Sequence, residues 1–315
     1  MVQVECTSEI SEFAKKLTET TRDQHALLKN LFTSAILNES TTRSIRLHVL
    51  KADHNGRPQV GILVRELYKT ILDYCIPRKQ ISKAIDYFNN TRSTQRIVAL
   101  RKEAQSLFTD VSNSGEGGEL LLFILTESVL GYPQVLSKMA IKTSSRMHFH
   151  GVDGVYISCS GTPATLRIHF GESKLHKSAA GSVKEATSSI ASMLTDEGFL
   201  ESARRDYYLL NTQADLGNDE LEEALKGFLD PLDPRFLSPE VCAVLLAGHE
   251  LADYPTVFED EPLPDIVVDK ANNLINILEK KAKEMKIHSF HIDLFLVPFP
   301  NIQAFRDLLL KELCL

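Results

Sequence analysis

One run constrains this chain more than any other: Leu166-Arg167-Ile168-His169-Phe170-Gly171-Glu172-Ser173-Lys174. Side chains alternate between faces along a strand. Leu166, Ile168 and Phe170 therefore share one face, and Glu172 and Lys174 continue it. Buried charge is costly unless it is paired or bound to a metal. A solvated surface strand with a neighbouring ion pair is the plain alternative. The large apolar residues that lead up to the charges favour a site.

The stretch before this run supplies a partner strand. His150-Gly151-Val152-Asp153-Gly154-Val155-Tyr156-Ile157 is followed by the turn-rich Ser160-Gly161-Thr162-Pro163. Two alternating apolar runs joined by such a turn predict a β-hairpin. With the fold-back near Thr162 and Pro163, Asp153 stands opposite Glu172, at a Cβ separation of roughly 4.5–5.5 Å. Two carboxylates that close repel each other unless a cation lies between them, and oxygen ligands suit Mg²⁺ or Mn²⁺. A buried helix is predicted at 115–127 and another at 178–194, where Ala179, Val183, Ala186, Ile190 and Met193 recur at helical spacing. The first helix offers a third carboxylate. Gly-x-x-Gly-Glu selects Glu119, and Glu116 remains open as a first-turn residue favoured by the helix dipole. Glu127 is read as a solvated helix position.

A carboxylate, a short hairpin and then Glu-x-Lys resemble the PD-(D/E)xK nuclease superfamily. The ordered phrases Glu-Gly-Gly-Glu-Leu-Leu-Leu-Phe, Pro-Gln-Val-Leu-Ser-Lys-Met, His-Gly-Val-Asp-Gly-Val and Phe-Gly-Glu-Ser-Lys-Leu are more specific. They resemble the HamA family, nuclease subunits of Hachiman anti-phage defence, over roughly residues 45–195. Asp53-His54-Asn55-Gly56-Arg57-Pro58 and Asp73-Tyr74-Cys75-Ile76-Pro77-Arg78 fit the same family. The resemblance implies an α/β (α+β) fold with a restriction-endonuclease-like core, a mixed central sheet flanked by helices. It implies phosphodiester hydrolysis in DNA, with Asp153, Glu172, Lys174 and Glu119 as the catalytic set. Asp153, Glu172, Glu119 and the carbonyl of Ser173 would hold Mg²⁺ or Mn²⁺. It also implies a superfamily 2 helicase, HamB-like, as partner in a heterocomplex. A catalytically silent nuclease-fold adaptor that binds the helicase is the competing reading, against which the intact Asp153, Glu172 and Lys174 speak.

The formal charge of −7 argues against a free-standing, tight DNA binder, because phosphate contacts supply most non-specific affinity. A local basic cluster or a partner must then bring the DNA. His150, Lys142 and Arg146 are the candidate DNA contacts. His148-x-His150-x-x-Asp153 hints at a zinc hydrolase, but the Asp stands one residue too far along and Gly154 follows it. His288-x-x-His291 is read as structural. Neither a P-loop nor Gly-x-Gly-x-x-Gly occurs, so no nucleotide site is expected. Ser173 lacks a Gly-x-Ser-x-Gly elbow.

The five cysteines are scattered and odd in number, which fits free thiols in a reducing cytoplasm. No apolar run of about 18 residues predicts a membrane span, and the amino terminus does not read as a signal peptide. The nuclease core is expected at 111–195. Region 1–110 is expected to bind the partner. Region 196–315 is helical, with a late strand at 289–297 that can join the core sheet. Further elements are predicted as a helix at 8–34, a strand at 44–51, a strand running into a helix at 59–74, and helices at 79–89, 93–109, 196–210, 218–228, 269–286 and 301–313.

Overall fold

The alternation of 166–174 and the turn before it become a hairpin. Strand β4 (Gly154–Ser160) pairs antiparallel with β5 (Thr165–His176), with Val155 opposite Phe170 and Ile157 opposite Ile168. This is the register that the two alternating runs require, and a slip of one residue would have turned every apolar side chain to the wrong face. The computed structural model describes residues 2–22, 30–108, 115–137, 139, 152–161, 164–195, 210, 212–259 and 261–313, without the side chains of 2–8.

The hairpin is part of one mixed seven-stranded sheet. The other strands are β1 (Phe32–Glu39), β2 (Arg43–Leu50), β3 (Gln134–Ser137), β6 (Glu240–Glu250) and β7 (His291–Phe299). Their order is β1-β2-β7-β6-β5-β4-β3. The central strands β2, β7, β6 and β5 run parallel, and β1, β4 and β3 are antiparallel to their neighbours. Strands from 1–110, 111–195 and 196–315 thus share one sheet, and β7 lies near its middle.

Parallel strands are covered on both faces, so they read as continuous apolar runs rather than alternating ones. That explains β6, which the sequence reading leaves out: Val241-Cys242-Ala243-Val244-Leu245-Leu246-Ala247 has no period of two. Strand β1 departs from expectation too. The helix expected over 8–34 is α1 (Val2–Thr18), and Phe32 already begins a strand. The helices on the N-terminal side of the core are α2 (Val60–Lys69), α3 (Ile71–Cys75), α4 (Arg78–Thr91), α5 (Gln95–Ser106) and α6 (Glu116–Leu125). Pro77 separates α3 from α4, since the residue before a proline avoids helix and Ile76 is extended. After the core come α7 (Ala179–Leu194), α8 (Asp219–Leu229), α9 (Asp265–Glu284) and α10 (Ile302–Leu313). The Asn218 side chain caps α8 through the Glu220 and Leu221 amides. No described helix is long and apolar enough to cross a membrane.

Two cores cover the sheet. On one face Val155, Ile157, Ile168 and Phe170 pack with α1, α7, α8 and α9. On the other, Tyr156, Val244 and Phe295 pack with α2, α3, α6 and α10. Every residue of α6 is buried, its two glutamates included. The helix lies close on β5 because Gly118 has no side chain; a Cβ there would meet Leu175 at 3.1 Å and the Ser173 hydroxyl at 3.2 Å. Burying each large apolar side chain contributes roughly 1.5–3 kcal/mol.

The face under α6 also buries polar groups away from the hairpin's carboxylates. His169 is fully buried, hydrogen-bonded to Ser158 at 2.8 Å and stacked by Tyr132 at 4.2 Å between ring centroids. His169 Nδ1 lies 3.7 Å from Asp293, and His291 Nε2 lies 3.3 Å from the same carboxylate oxygen. His291 also meets the Thr41 carbonyl, in keeping with a structural role. Burial pushes His169 down to about 3, with Asp293 opposing, and burial likewise pushes His48 down to about 3.

A base with a lowered folded pKa binds fewer protons folded than unfolded between its two pKa values. For His48 and His169 that window runs from the ordinary 6.5 down to about 3. Their contribution to stability is complete above pH 6.5 and is lost as pH falls. We predict a urea midpoint that rises from pH 4 to pH 7, with a smaller rise in His169→Asn. An unchanged slope in that variant would contradict the assignment.

Candidate active site

The hairpin register carries Asp153 to the position opposite Glu172. The Asp153 amide donates to the Gly171 carbonyl at 2.8 Å, which extends the ladder one residue beyond β4. Gly171 permits the crossing: a Cβ there would lie 2.8 Å from the Tyr156 ring and 3.2 Å from the Gly154 carbonyl. Asp153, Glu172 and Glu119 are all buried, at 7, 3 and 5 % exposure. Carboxylates are seldom buried so deeply without partners, and each has them here.

Glu172 accepts from the Lys174 ammonium and, at 2.8 Å, from the Ser189 hydroxyl of α7. The pKa of Glu172 is raised, first by burial and then by the negative charge of Asp153; Lys174 and Ser189 work against the rise. Lys174 keeps about a third of its side chain exposed, so its ammonium stands at the surface end of the pair.

Asp153 points elsewhere than strict alternation predicts. It lies one residue before β4, where the pleat no longer fixes its side chain. Its Oδ2 accepts from both the amide and the hydroxyl of Ser173, each at 2.8 Å. Ser173 sits on the α6 face of β5, and so does Glu119, whose Oε2 accepts from the Tyr74 hydroxyl at 3.2 Å. Burial, then Glu119 and then Asp153, hold the Tyr74 phenol well above its ordinary pKa. Both carboxylates thus act on this phenol. Glu116 is equally buried one turn earlier in α6.

These donors fit a hard divalent cation in kind: they are oxygens, and Asp153 and Glu172 exert a like-charge pressure on each other that a cation would relieve. The expected ring of three carboxylates around one cation is not formed. Among the described residues no group of three or more His, Cys, Asp or Glu side chains is gathered closely enough to hold a metal ion. The reason is local. Asp153 is held by Ser173, Glu172 by Lys174 and Ser189, and Glu119 by Tyr74. His150, Lys142 and Arg146 lie outside the described residues.

Glu127 corrects the sequence reading. It is 3 % exposed rather than solvated. The helix turns π at Thr126–Leu130, and Glu127 accepts from the Arg22 guanidinium at 3.1 Å, the Arg22 amide at 3.1 Å, the Arg78 guanidinium at 3.1 Å and the Gln134 amide at 2.9 Å. The two arginines stand 105 and 49 residues away, so no local pattern marks the cluster. Beside it lies a cavity of about 330 Å³ lined by Arg22, Tyr74, Arg78, Lys79, Gln134 and Ser137, among others. Ser137 pairs with Gly154, which places the cavity next to Asp153.

A mixed sheet flanked by helices, with two buried carboxylates and a lysine on its hairpin, is a nuclease-like α/β core. The HamA family model matches residues 25–313, well beyond the stretch that carries the sequence phrases, and the chain belongs to the HamA family. No curated protein matches it.

Removing one partner of a buried ion pair leaves an uncompensated charge and costs about 3–5 kcal/mol. We predict that Glu127→Ala, which strands Arg22 and Arg78, lowers unfolding free energy by about 3 kcal/mol in a denaturant titration. A loss under about 1 kcal/mol, the range of solvated pairs, would show that the cluster is solvated in solution.

Proposed function

We propose that this chain is the DNA-cleaving subunit of a Hachiman defence system, a metal-dependent endonuclease controlled by a HamB-like helicase. Family membership supports the defence setting. The observation that carries the chemistry is the hairpin register, which brings Asp153 and Glu172 together with Lys174 two residues further along. Asp153, Glu172, Glu119 and the Ser173 carbonyl would hold Mg²⁺ or Mn²⁺, which lowers the pKa of bound water and neutralises charge on the scissile phosphate.

The chain's own residues do the rest. Lys174 places a positive charge where the phosphate gains negative charge, and it orients the attacking water. Ser173 holds Asp153 at rest through two hydrogen bonds, from its amide and its hydroxyl. Arg22, Arg78 and Lys79 line the cavity beside β3 and offer donors to the DNA backbone. Their charges are largely matched by Glu127, Asp219 and Glu222, and the whole chain carries −7. That balance supports delivery of DNA by the helicase rather than capture by this subunit alone.

The adaptor reading draws on one observation, the engagement of all three carboxylates by protein donors. In the nuclease reading this arrangement is a resting one that metal and DNA reorganise. Plasmid cleavage in Mg²⁺ by the chain with its helicase separates the two. We expect Glu172→Gln to reduce cleavage at least about a thousandfold and Lys174→Met about 10²–10⁴-fold, with unchanged folding and helicase binding. Full activity in purified Glu172→Gln would remove Glu172 from the site. No cleavage by the wild-type complex, whatever the DNA, would favour the adaptor.

A further inference from the structure

We propose that the paired helices α4 and α5 form a basic arm that holds the phosphate backbone of DNA running to the cavity beside β3. The proposal deepens the nuclease reading and rests on it for where the DNA leads.

Residues 78–106 carry seven basic side chains against two acidic ones, Asp86 and Glu103. The whole chain is at −7, so the arm reverses the sign locally, and phosphate contacts need such a reversal. The arm lies at the surface. Ala84 is the one buried residue of α4 and Ala104 that of α5, while Ile81 and Leu100 fasten the arm to the core. Deeper in the fold, Arg22 and Arg78 are matched by Glu127. Lys83, Arg92, Arg96 and Lys102 are exposed and have no acidic partner among the described residues.

These cations form a track. Its inner end is Lys79, which lines the cavity beside β3 and is matched by Asp219 and Glu222. Lys83 and Tyr87 follow at four-residue steps on the same face of α4, each about 6 Å further along. The Arg96 guanidinium lies over the Tyr87 ring, 4.3 Å from its centroid. Stacking occupies the face of the guanidinium and leaves its N–H edge for phosphate. Arg92 stands at the apex with φ 60 and ψ 14, a left-handed position that glycine or asparagine usually fills. A cation is kept at this exposed tip against the backbone preference. From Lys79 to Arg92 the track runs roughly 20 Å, the axial span of about six phosphates on one strand of a duplex. Arg101 acts otherwise: it donates to the Tyr68 and Lys69 carbonyls at the end of α2 and so braces α5. Ile85 and Val98 are also exposed on the arm, which makes an acidic protein surface the competing occupant. The direction of the track favours DNA. A substrate strand must leave the cavity beside Asp153 along a basic path, whereas a protein partner need not follow one.

The test uses the full chain with divalent metal chelated, so that bound DNA stays intact. Binding to a fluorescent duplex is read by anisotropy across roughly 25–200 mM salt. An arm variant carrying Lys83→Gln, Arg92→Gln and Arg96→Gln is compared with a control carrying Lys280→Gln, Lys283→Gln and Lys286→Gln. The control removes equal charge from exposed positions around the end of α9, on the other face of the sheet. We expect the arm variant to bind at least about tenfold more weakly at the lowest salt, and its log–log salt slope to fall by about 2–3. The control should keep the wild-type slope. Arg92→Gly alone should melt at or above the wild-type temperature, since glycine suits the left-handed backbone, and yet lower the slope by about one. Wild-type binding by the arm variant overturns the proposal, and so do equal losses in arm variant and control. Intact DNA binding with lost helicase binding also overturns it, and makes the arm a dock for an acidic protein surface. If the expected binding results hold but the wild-type helicase complex never cleaves in Mg²⁺, the nuclease reading fails and the arm keeps its hold on DNA.

Discussion

The antiparallel pairing of β4 with β5 is the contact on which the rest of the site depends. It sets Val155 against Phe170 and carries the ladder on to the bond between the Asp153 amide and the Gly171 carbonyl. From that bond follow the nearness of Asp153 to Glu172 and the reach of Asp153 to Ser173. The parallel strand β6 then backs β5, with Glu172 beside Leu245 and Lys174 beside Ala247. Beyond the end of the β4 ladder at Gly171, these two charged residues are held by the β6 ladder alone. The like-charge pressure on Glu172 follows directly from this geometry.

The carboxylates reach the site from both faces of the sheet. Glu172 shares its face with Phe170 and α7, whose Ser189 hydroxyl it accepts, while Glu119 arrives with α6 on the other face. Asp153, at the strand end, is the member whose side chain the pleat leaves able to turn. The carboxylates rest on donors from three elements: Ser173 of β5 for Asp153, Lys174 of β5 with Ser189 of α7 for Glu172, and Tyr74 of α3 for Glu119. This division explains how three acidic groups are buried near one another without a gathered cation site among the described residues. Small shifts of α3 or α7 would change which donors hold the carboxylates.

Much of this was legible in the sequence because alternation is a local signal. The hairpin, its register, the buried helix with Glu119 and the late strand β7 all follow from spacing within about ten residues. Strand β6 was not legible, because a parallel strand covered on both faces loses its period of two. Strand β1 was lost in the tail of an apparent helix, where Leu27, Leu28 and Leu31 keep a helical spacing up to its edge. Glu127, Tyr74 and Ser189 were missed for another reason. Their partners are 105, 45 and 17 residues distant, and no pattern in one sequence links such pairs. The family phrases pointed to the candidate site, and the fold alone revealed which donors hold its carboxylates.

The central claim is that the hairpin carboxylates form a cation site. A crystal of the chain soaked in Mn²⁺ tests it most directly, through anomalous scattering at the metal's absorption edge. The account predicts a peak bridging Asp153 and Glu172 at ligand distances of roughly 2.0–2.3 Å, with Ser173 and Lys174 displaced from their present bonds to those carboxylates. No peak there, or a peak only at a distant site such as the His291 and Asp293 pair, would contradict it.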